Sequence, residues 1–149
     1  MPQKGLPTVT AIIVAAGASR RMGFDKLSYC LPDGRTVLET SCALFAAHPA
    51  VDELVLVAGG NRPQCEAIAA ACPKPCTVVQ GGATRADSVH NGLAAAKGQL
   101  VAIHDAARPF ASEEVITQVL QAAAKTGAAA PAVPVKDTIK VADKDGKVV

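Results

Sequence analysis

The chain has 149 residues, half of them hydrophobic and only 3% aromatic, with a formal net charge of +2. That length suits one domain with a core of Val, Ile, Leu and especially Ala, and so small a charge on scattered basic residues excludes nucleic acid and anionic membranes as partners. No apolar run is long enough to span a bilayer, and no signal-like segment follows Met1-Pro2-Gln3-Lys4, so the expected location is the cytoplasm.

The first informative stretch is T-A-I-I-V-A-A-G-A-S-R-R-M-G-F-D-K at 10–26. Ala11, Ile12, Ile13 and Val14 read as a buried strand that runs into Ala15-Ala16-Gly17, where side chains shrink to almost nothing. Small residues at a strand exit let backbone N–H groups approach a ligand, and successive N–H groups in a tight loop favour anions. Arg20, Arg21 and Lys26 follow within one loop length, aiming guanidinium forks and a point charge at the same region. This chemistry suits a nucleoside triphosphate.

Pro32-Asp33-Gly34 is a turn. Thr36 and Glu39 form a capping box for a helix that stops before Pro49 and places Val37, Ser41, Leu44, Phe45 and His48 on one face. Residues 54–58 form a second buried strand ending in Gly59-Gly60, and Asn61 with Pro63 opens an alanine-rich helix to about Ala71. A third strand at 76–79 is delivered into Gly81-Gly82. Thr84 and Asp87 then cap a helix expected to turn Val89 and Leu93 inward and to end near Gly98. A fourth strand at 100–103 leads into His104-Asp105-Ala106-Ala107-Arg108-Pro109. Ser112 starts a helix with Val115, Ile116, Val119 and Leu120 on its apolar face, Lys125 in its last turn and Gly127 closing it. A fifth strand is expected at 128–133, leading to Pro134-Val135-Lys136-Asp137-Thr138-Ile139-Lys140. From about 138 a hairpin begins, turning at Asp143-Lys144-Asp145-Gly146.

Alternating strands and helices predict an α/β fold, a mostly parallel sheet with helices on both faces and a ligand site beyond the carboxyl ends of the strands. The five cysteines, Cys30, Cys42, Cys65, Cys72 and Cys76, include no C-x-x-C and have no histidine placed to complete a zinc site, so they read as reduced, buried or incidental thiols.

The opening loop lacks both the G-x-G-x-x-G spacing and a G-K-[ST]. With its A-A-G, its Arg-Arg-Met and a following lysine, it resembles the Rossmann-like nucleotidyltransferases. Three further stretches, G-G-A-T-R-A-D-S-V at 81–89, H-D-A-A-R-P at 104–109 and P-V-K-D-T-I-K at 134–140, resemble in order and spacing the 2-C-methyl-D-erythritol 4-phosphate cytidylyltransferase family. The resemblance implies a three-layer Rossmann-like sandwich and a reaction in which CTP and a polyol phosphate give the CDP-linked alcohol and pyrophosphate with Mg²⁺. It puts the triphosphate on Ala15, Ala16 and Gly17, with Arg21 and Lys26 as the catalytic cations and Arg20 beside them. Gly81, Gly82, Arg85 and Ser88 join the nucleotide site, Gly82 and Ser88 against the cytosine. Asp105 is the implied Mg²⁺ ligand, Ala106 and Arg108 flank the nucleotide, and Thr138 holds the phosphate of the acceptor. Asp25 and Ala83 stand where the family commonly has a proline and an acidic residue.

The resemblance also implies that 1–149 is one nucleotidyltransferase domain incomplete at its C-terminus, with further acceptor residues beyond it, and a homodimer for the full-length parent. Two other readings stay open: a ribitol 5-phosphate or other polyol-phosphate cytidylyltransferase, and a nucleotide-binding fragment without turnover. Asp105 could instead be an N-terminal cap or pair with Arg108, Ser88 could face solvent, and His48, His90 and His104 carry no assigned role.

Overall fold

A computed structural model describes residues 6–17 and 25–148. Among them the strands β1 (Val9–Ala15), β2 (Glu53–Ala58), β3 (Cys76–Gln80) and β4 (Leu100–Asp105) alternate with the helices α1 (Val37–Ala47), α2 (Arg62–Ala71), α3 (Arg85–Ala95) and α4 (Glu113–Thr126). The strands form one parallel sheet in the order β3-β2-β1-β4. The two near-continuous apolar strands, β1 and β2, lie at its centre, as strands covered on both faces should.

The connections from β1 through β2 to β3 step one way across the sheet, and the connection from β3 to β4 returns to the far side of β1. With right-handed crossovers, a reversal of direction sends the crossing helix to the opposite face. On one face Val9, Ala11, Ile13, Leu54 and Leu56 pack with Leu38 and Phe45 of α1, Cys65 of α2, and Ile116 and Leu120 of α4. On the other, Ile12, Val55 and Val57 lie beneath α3. The expected three-layer α/β sandwich is thus present.

The helix ends follow the sequence closely. Both capping boxes form, Thr36 with Glu39 and Thr84 with Asp87, and the Ser112 hydroxyl accepts from the Val115 amide. Gly127 ends α4 in the left-handed conformation at φ 89°, its N–H donating to the Ala123 carbonyl at 2.8 Å. α3 departs from expectation, because it packs through Ser88 and Gly92 while Leu93 is 41% exposed. A Cβ at Gly92 would lie 2.6 Å from Ile12 Cγ2 and 3.0 Å from Val57 Cγ2, so the missing side chain is what lets α3 approach the sheet.

The fifth strand expected at 128–133 does not form, and those residues are exposed. Alanine is a poor strand residue, Pro131 and Pro134 lack an N–H donor, and the run pairs with no neighbouring strand. The turn at 143–146 does form, with Gly146 at φ 79°, the Asp143 N–H donating to the Lys147 carbonyl at 2.8 Å, and an antiparallel bridge between Ala142 and Val148.

The close approach of α3 yields a test of the packing. Gly92→Ala is expected to destabilise the chain by about 1–3 kcal/mol, because overpacking against a β-branched neighbour outweighs the gain in helix propensity. Urea denaturation reads this directly, and a variant as stable as the parent would contradict the packing described.

Candidate functional site

The parallel register sets the strand exits level. Ala15 lies opposite Ala58, Ala58 opposite Gln80, and Val14 opposite Asp105. The strand order reverses between β1 and β4, the place where open α/β sheets leave a crevice. The residues after β1 and at the end of β4 flank it.

Around Ala16 the backbone is crowded. A Cβ at Gly59 would sit 2.7 Å from the Ala16 carbonyl oxygen, and one at Gly81 would sit 2.3 Å from the Ala16 Cβ. These two glycines are therefore needed to let the β2 and β3 exits close on β1. Asn61, expected to open α2, does not cap it with its side chain. Its Nδ2 donates to the Ala15 carbonyl at 3.2 Å, and its Oδ1 accepts from the Gly59 N–H at 3.0 Å, tying the first two exits together. At the third exit Gly82 donates its N–H to Ser88 Oγ at 3.1 Å, and Ser88 donates to the Thr84 carbonyl at 3.0 Å. Ser88 is buried, so the solvent-facing alternative is excluded.

Asp105 closes β4. Its Oδ1 accepts from Arg85 Nη2 at 2.8 Å and Nε at 3.2 Å, and its Oδ2 lies 3.5 Å from Arg108 Nε. The bond from Arg85 leads the causes that hold the Asp105 carboxyl below its usual range. The next residues form a tight turn in which the Arg108 N–H donates to the Asp105 carbonyl at 3.0 Å. The Ala106 N–H donates to the Val14 carbonyl at 3.1 Å, and the Ala106 carbonyl accepts from Ser41 Oγ at 2.6 Å. His104 stacks at a tilt on Phe45, with ring centroids 4.8 Å apart, and its Nε2 lies 2.9 Å from the Arg108 carbonyl. A carbonyl only accepts, so Nε2 carries the proton and donates.

The sheet brings Ala15, Ala16, Gly17, Gly81, Gly82 and Asp105 to one rim, and α3 adds Arg85 and Ser88. Ala106 lies beneath the turn, 1% exposed, with its N–H and its carbonyl both bonded inside the protein. Arg108 is exposed beside Asp105. Lys26 sits on a turn pinned to the start of α1, where the Leu38 N–H donates to the Leu27 carbonyl at 3.1 Å, and Asp25 accepts the Leu27 N–H. Arg20 and Arg21 lie outside the described residues. Thr138 falls on the exposed run after α4, and among the described residues no hydrogen bond ties it to the rim. Sequence reasoning missed Ser41 and Asn61 as site supports. The one available signal was that each is a polar residue where the pattern calls for a core residue or a cap.

Asp105 is the carboxylate here that could hold a divalent cation. Among the described residues no group of three His, Cys, Asp or Glu assembles, so a cation at Asp105 would need its remaining ligands from phosphate oxygens and water. Mg²⁺ accepts such a set, and the donor chemistry fits it. All five cysteines are free, and burial pushes the Cys65 thiol to about 11 and Cys76 to about 12, which removes them as nucleophiles at neutral pH. A groove of about 450 Å³ between α1 and α2 is lined by Leu38, Cys42, Ala46, Ile68 and Cys72 and shares no residue with the rim. Its apolar walls do not suit a polyphosphate.

His104 gives the site a pH dependence. Burial lowers its pKa below the ordinary 6.5, against the opposing effect of the bond to Arg108. The unfolded chain therefore binds more protons in the interval just below 6.5, and this contribution to stability is lost as pH falls through it. Melting curves from about pH 8 to about pH 5 are expected to fall less steeply for His104→Gln, which keeps an amide donor, than for the parent. Parallel slopes would remove His104 as the titrating group.

Residues 9–149 match the family model described as IspD, 2-C-methyl-D-erythritol 4-phosphate cytidylyltransferase. The 2-C-methyl-D-erythritol 4-phosphate cytidylyltransferase of Symbiobacterium thermophilum is 45% identical over 144 residues, which cover 95% of this chain and 61% of that protein. The bifunctional enzyme IspD/IspF of Anaeromyxobacter dehalogenans is 45% identical over 141 residues, covering 94% of this chain and 36% of that one. The crystal structure of 4-diphosphocytidyl-2C-methyl-D-erythritol synthase from Anaerococcus prevotii superposes with a TM-score of 0.75 at 31% identity, over 95% of this chain and 62% of that chain. The chain thus spans less than two thirds of the length of these relatives. With the family model matched from the first strand onward, and with this sheet and rim, the chain belongs to the 2-C-methyl-D-erythritol 4-phosphate cytidylyltransferase family.

Proposed function

We propose that the protein transfers a cytidylyl group from CTP to 2-C-methyl-D-erythritol 4-phosphate and releases pyrophosphate, a step in isoprenoid precursor synthesis. The observation that carries this reading is the β1/β4 crevice, where Ala15-Ala16-Gly17 leaves β1 next to the strand that ends in an Asp105 flanked by two guanidinium groups. The triphosphate lies along 15–17, with Arg20, Arg21 and Lys26 meeting its charge. Gly81, Gly82 and Ser88 border the base, where the crowding around Ala16 leaves little room and disfavours a purine.

The phosphate of the acceptor attacks the α-phosphorus of CTP in line. A bond forms from the phosphate oxygen to that phosphorus, and the bridging bond to the β-phosphate breaks as pyrophosphate departs. A phosphate monoester is already anionic at neutral pH, so no general base is needed, and positioning with charge stabilisation supplies the catalysis. Asp105 is the residue that would hold Mg²⁺, which would supply neutralisation of the triphosphate charge. Arg85 and Arg108 orient the Asp105 carboxylate and are placed to turn to the nucleotide.

Thr138, on the exposed segment after α4, contacts the acceptor phosphate. Exposed Val133, Val135, Ile139 and Val141 on that segment support a homodimer contact in the whole protein. We also assign it to the cytoplasm; no helix among the described residues is long and apolar enough to cross a membrane. A second reading, a nucleotide-binding module without turnover, is favoured by the separation of Thr138 from the rim. Ribitol 5-phosphate remains the rival acceptor.

Pyrophosphate release with CTP, Mg²⁺ and each polyol phosphate separates these readings. Release with methylerythritol phosphate alone is expected, and Lys26→Ala is expected to slow it by roughly a hundredfold, the scale of one preorganised charge-stabilising group. Release with ribitol 5-phosphate alone would reassign the acceptor. Its absence with both would leave the binding module. Unchanged turnover in Lys26→Ala would remove that residue from catalysis.

A further inference from the structure

We infer that Ser41, on the reading that residues 105–108 face CTP, is a positioning residue that sets the nucleotide-facing turn through the backbone of Ala106. A serine inside a helix usually faces solvent or bonds back to the carbonyl one turn earlier. Its neighbour Thr40 does the latter, donating to the Thr36 carbonyl at 3.0 Å. Ser41 does not. It is 0% exposed, and its Oγ donates at 2.6 Å to the carbonyl of Ala106, 65 residues away.

That bond completes a clamp. The Ala106 N–H is held by the Val14 carbonyl of β1 and the Ala106 carbonyl by Ser41 of α1, so its two flanking peptides are fixed from two separate elements. Both residues are buried, and water cannot take the place of the hydroxyl. Removing it leaves a buried carbonyl unpartnered, a state the chain relieves by tilting the peptide toward solvent. The tilt moves Asp105 with its carboxylate and, through the bond from its N–H to the Asp105 carbonyl, Arg108. Alanine would fill the same space at 41 with no donor, so the hydroxyl, rather than bulk, is what the position supplies to the site.

The test compares Ser41→Ala with Thr40→Ala, which removes a hydrogen bond at the neighbouring buried position of the same helix without reaching the turn. Both variants are expected to melt lower than the parent. Only Ser41→Ala is expected to speed hydrogen exchange at the Ala106 and Arg108 amides and to weaken CTP binding, by about tenfold. If Ser41→Ala does not fold, Ser41→Cys, which keeps a weaker donor, takes its place in the comparison. The same exchange rates at 106 and 108 in both variants would overturn the inference, as would unchanged CTP affinity in the serine variant. A parent chain that binds no CTP would instead overturn the nucleotide reading, while the exchange rates still decide whether Ser41 holds the turn.

Discussion

Crowding around Ala16 is the constraint on which the rest of this structure depends. The exits of β1, β2 and β3 close so tightly that neither Gly59 nor Gly81 could carry a Cβ without meeting Ala16 at 2.7 Å or less. Side-chain bulk is excluded where three loops meet, and backbone is what remains to face the crevice. The N–H groups of Gly59, Gly81 and Gly82 are themselves taken up inside the protein, by Asn61, Ala58 and Ser88. The glycines after the strands are therefore spacers first; any contact they make with a ligand follows from the proximity they permit.

A rim built from backbone needs its peptides held, and short polar side chains do this. Asn61 ties the β1 exit to the β2 exit, Ser88 ties the Gly81-Gly82 turn to α3, and Ser41 ties the turn after β4 to α1. Each bond joins elements that the sheet alone only brings near one another. Charge is then added from the side. Arg85 at the start of α3 and Arg108 after β4 converge on Asp105 and leave cationic groups at the edge of the crevice. Because these pairs are exposed they contribute little to stability.

Much of the fold was legible because its signals are local. The capping boxes at Thr36 and Thr84, the cap at Ser112 and the glycine at 127 each act within one helical turn, and the apolar runs of β1 and β2 announce strands buried on both faces. What failed was non-local. Periodicity points Val89 and Leu93 inward on α3, whereas the glycine at 92 sets how close the helix comes and leaves Leu93 outside with Val89 only half-buried. The run at 128–133 looks apolar enough for a strand, but a strand needs a partner edge, and local composition does not provide one. At the site, small strand exits and the H-D-A-A-R-P turn were visible as patterns. The pairing of Asp105 with Arg85 and the reach of Ser41 to Ala106 were not, since they join residues 20 and 65 positions apart.

On our proposal, the crevice at the β1/β4 reversal is a site for a pyrimidine nucleoside triphosphate. Titration calorimetry of this chain with CTP, ATP and GTP, each with and without Mg²⁺, tests it most directly. CTP is expected to bind in preference to both purine nucleotides, with binding strengthened by Mg²⁺ and lost in Asp105→Asn only for the Mg²⁺-dependent part. A folded chain that bound all three nucleotides alike, or none of them, would contradict it.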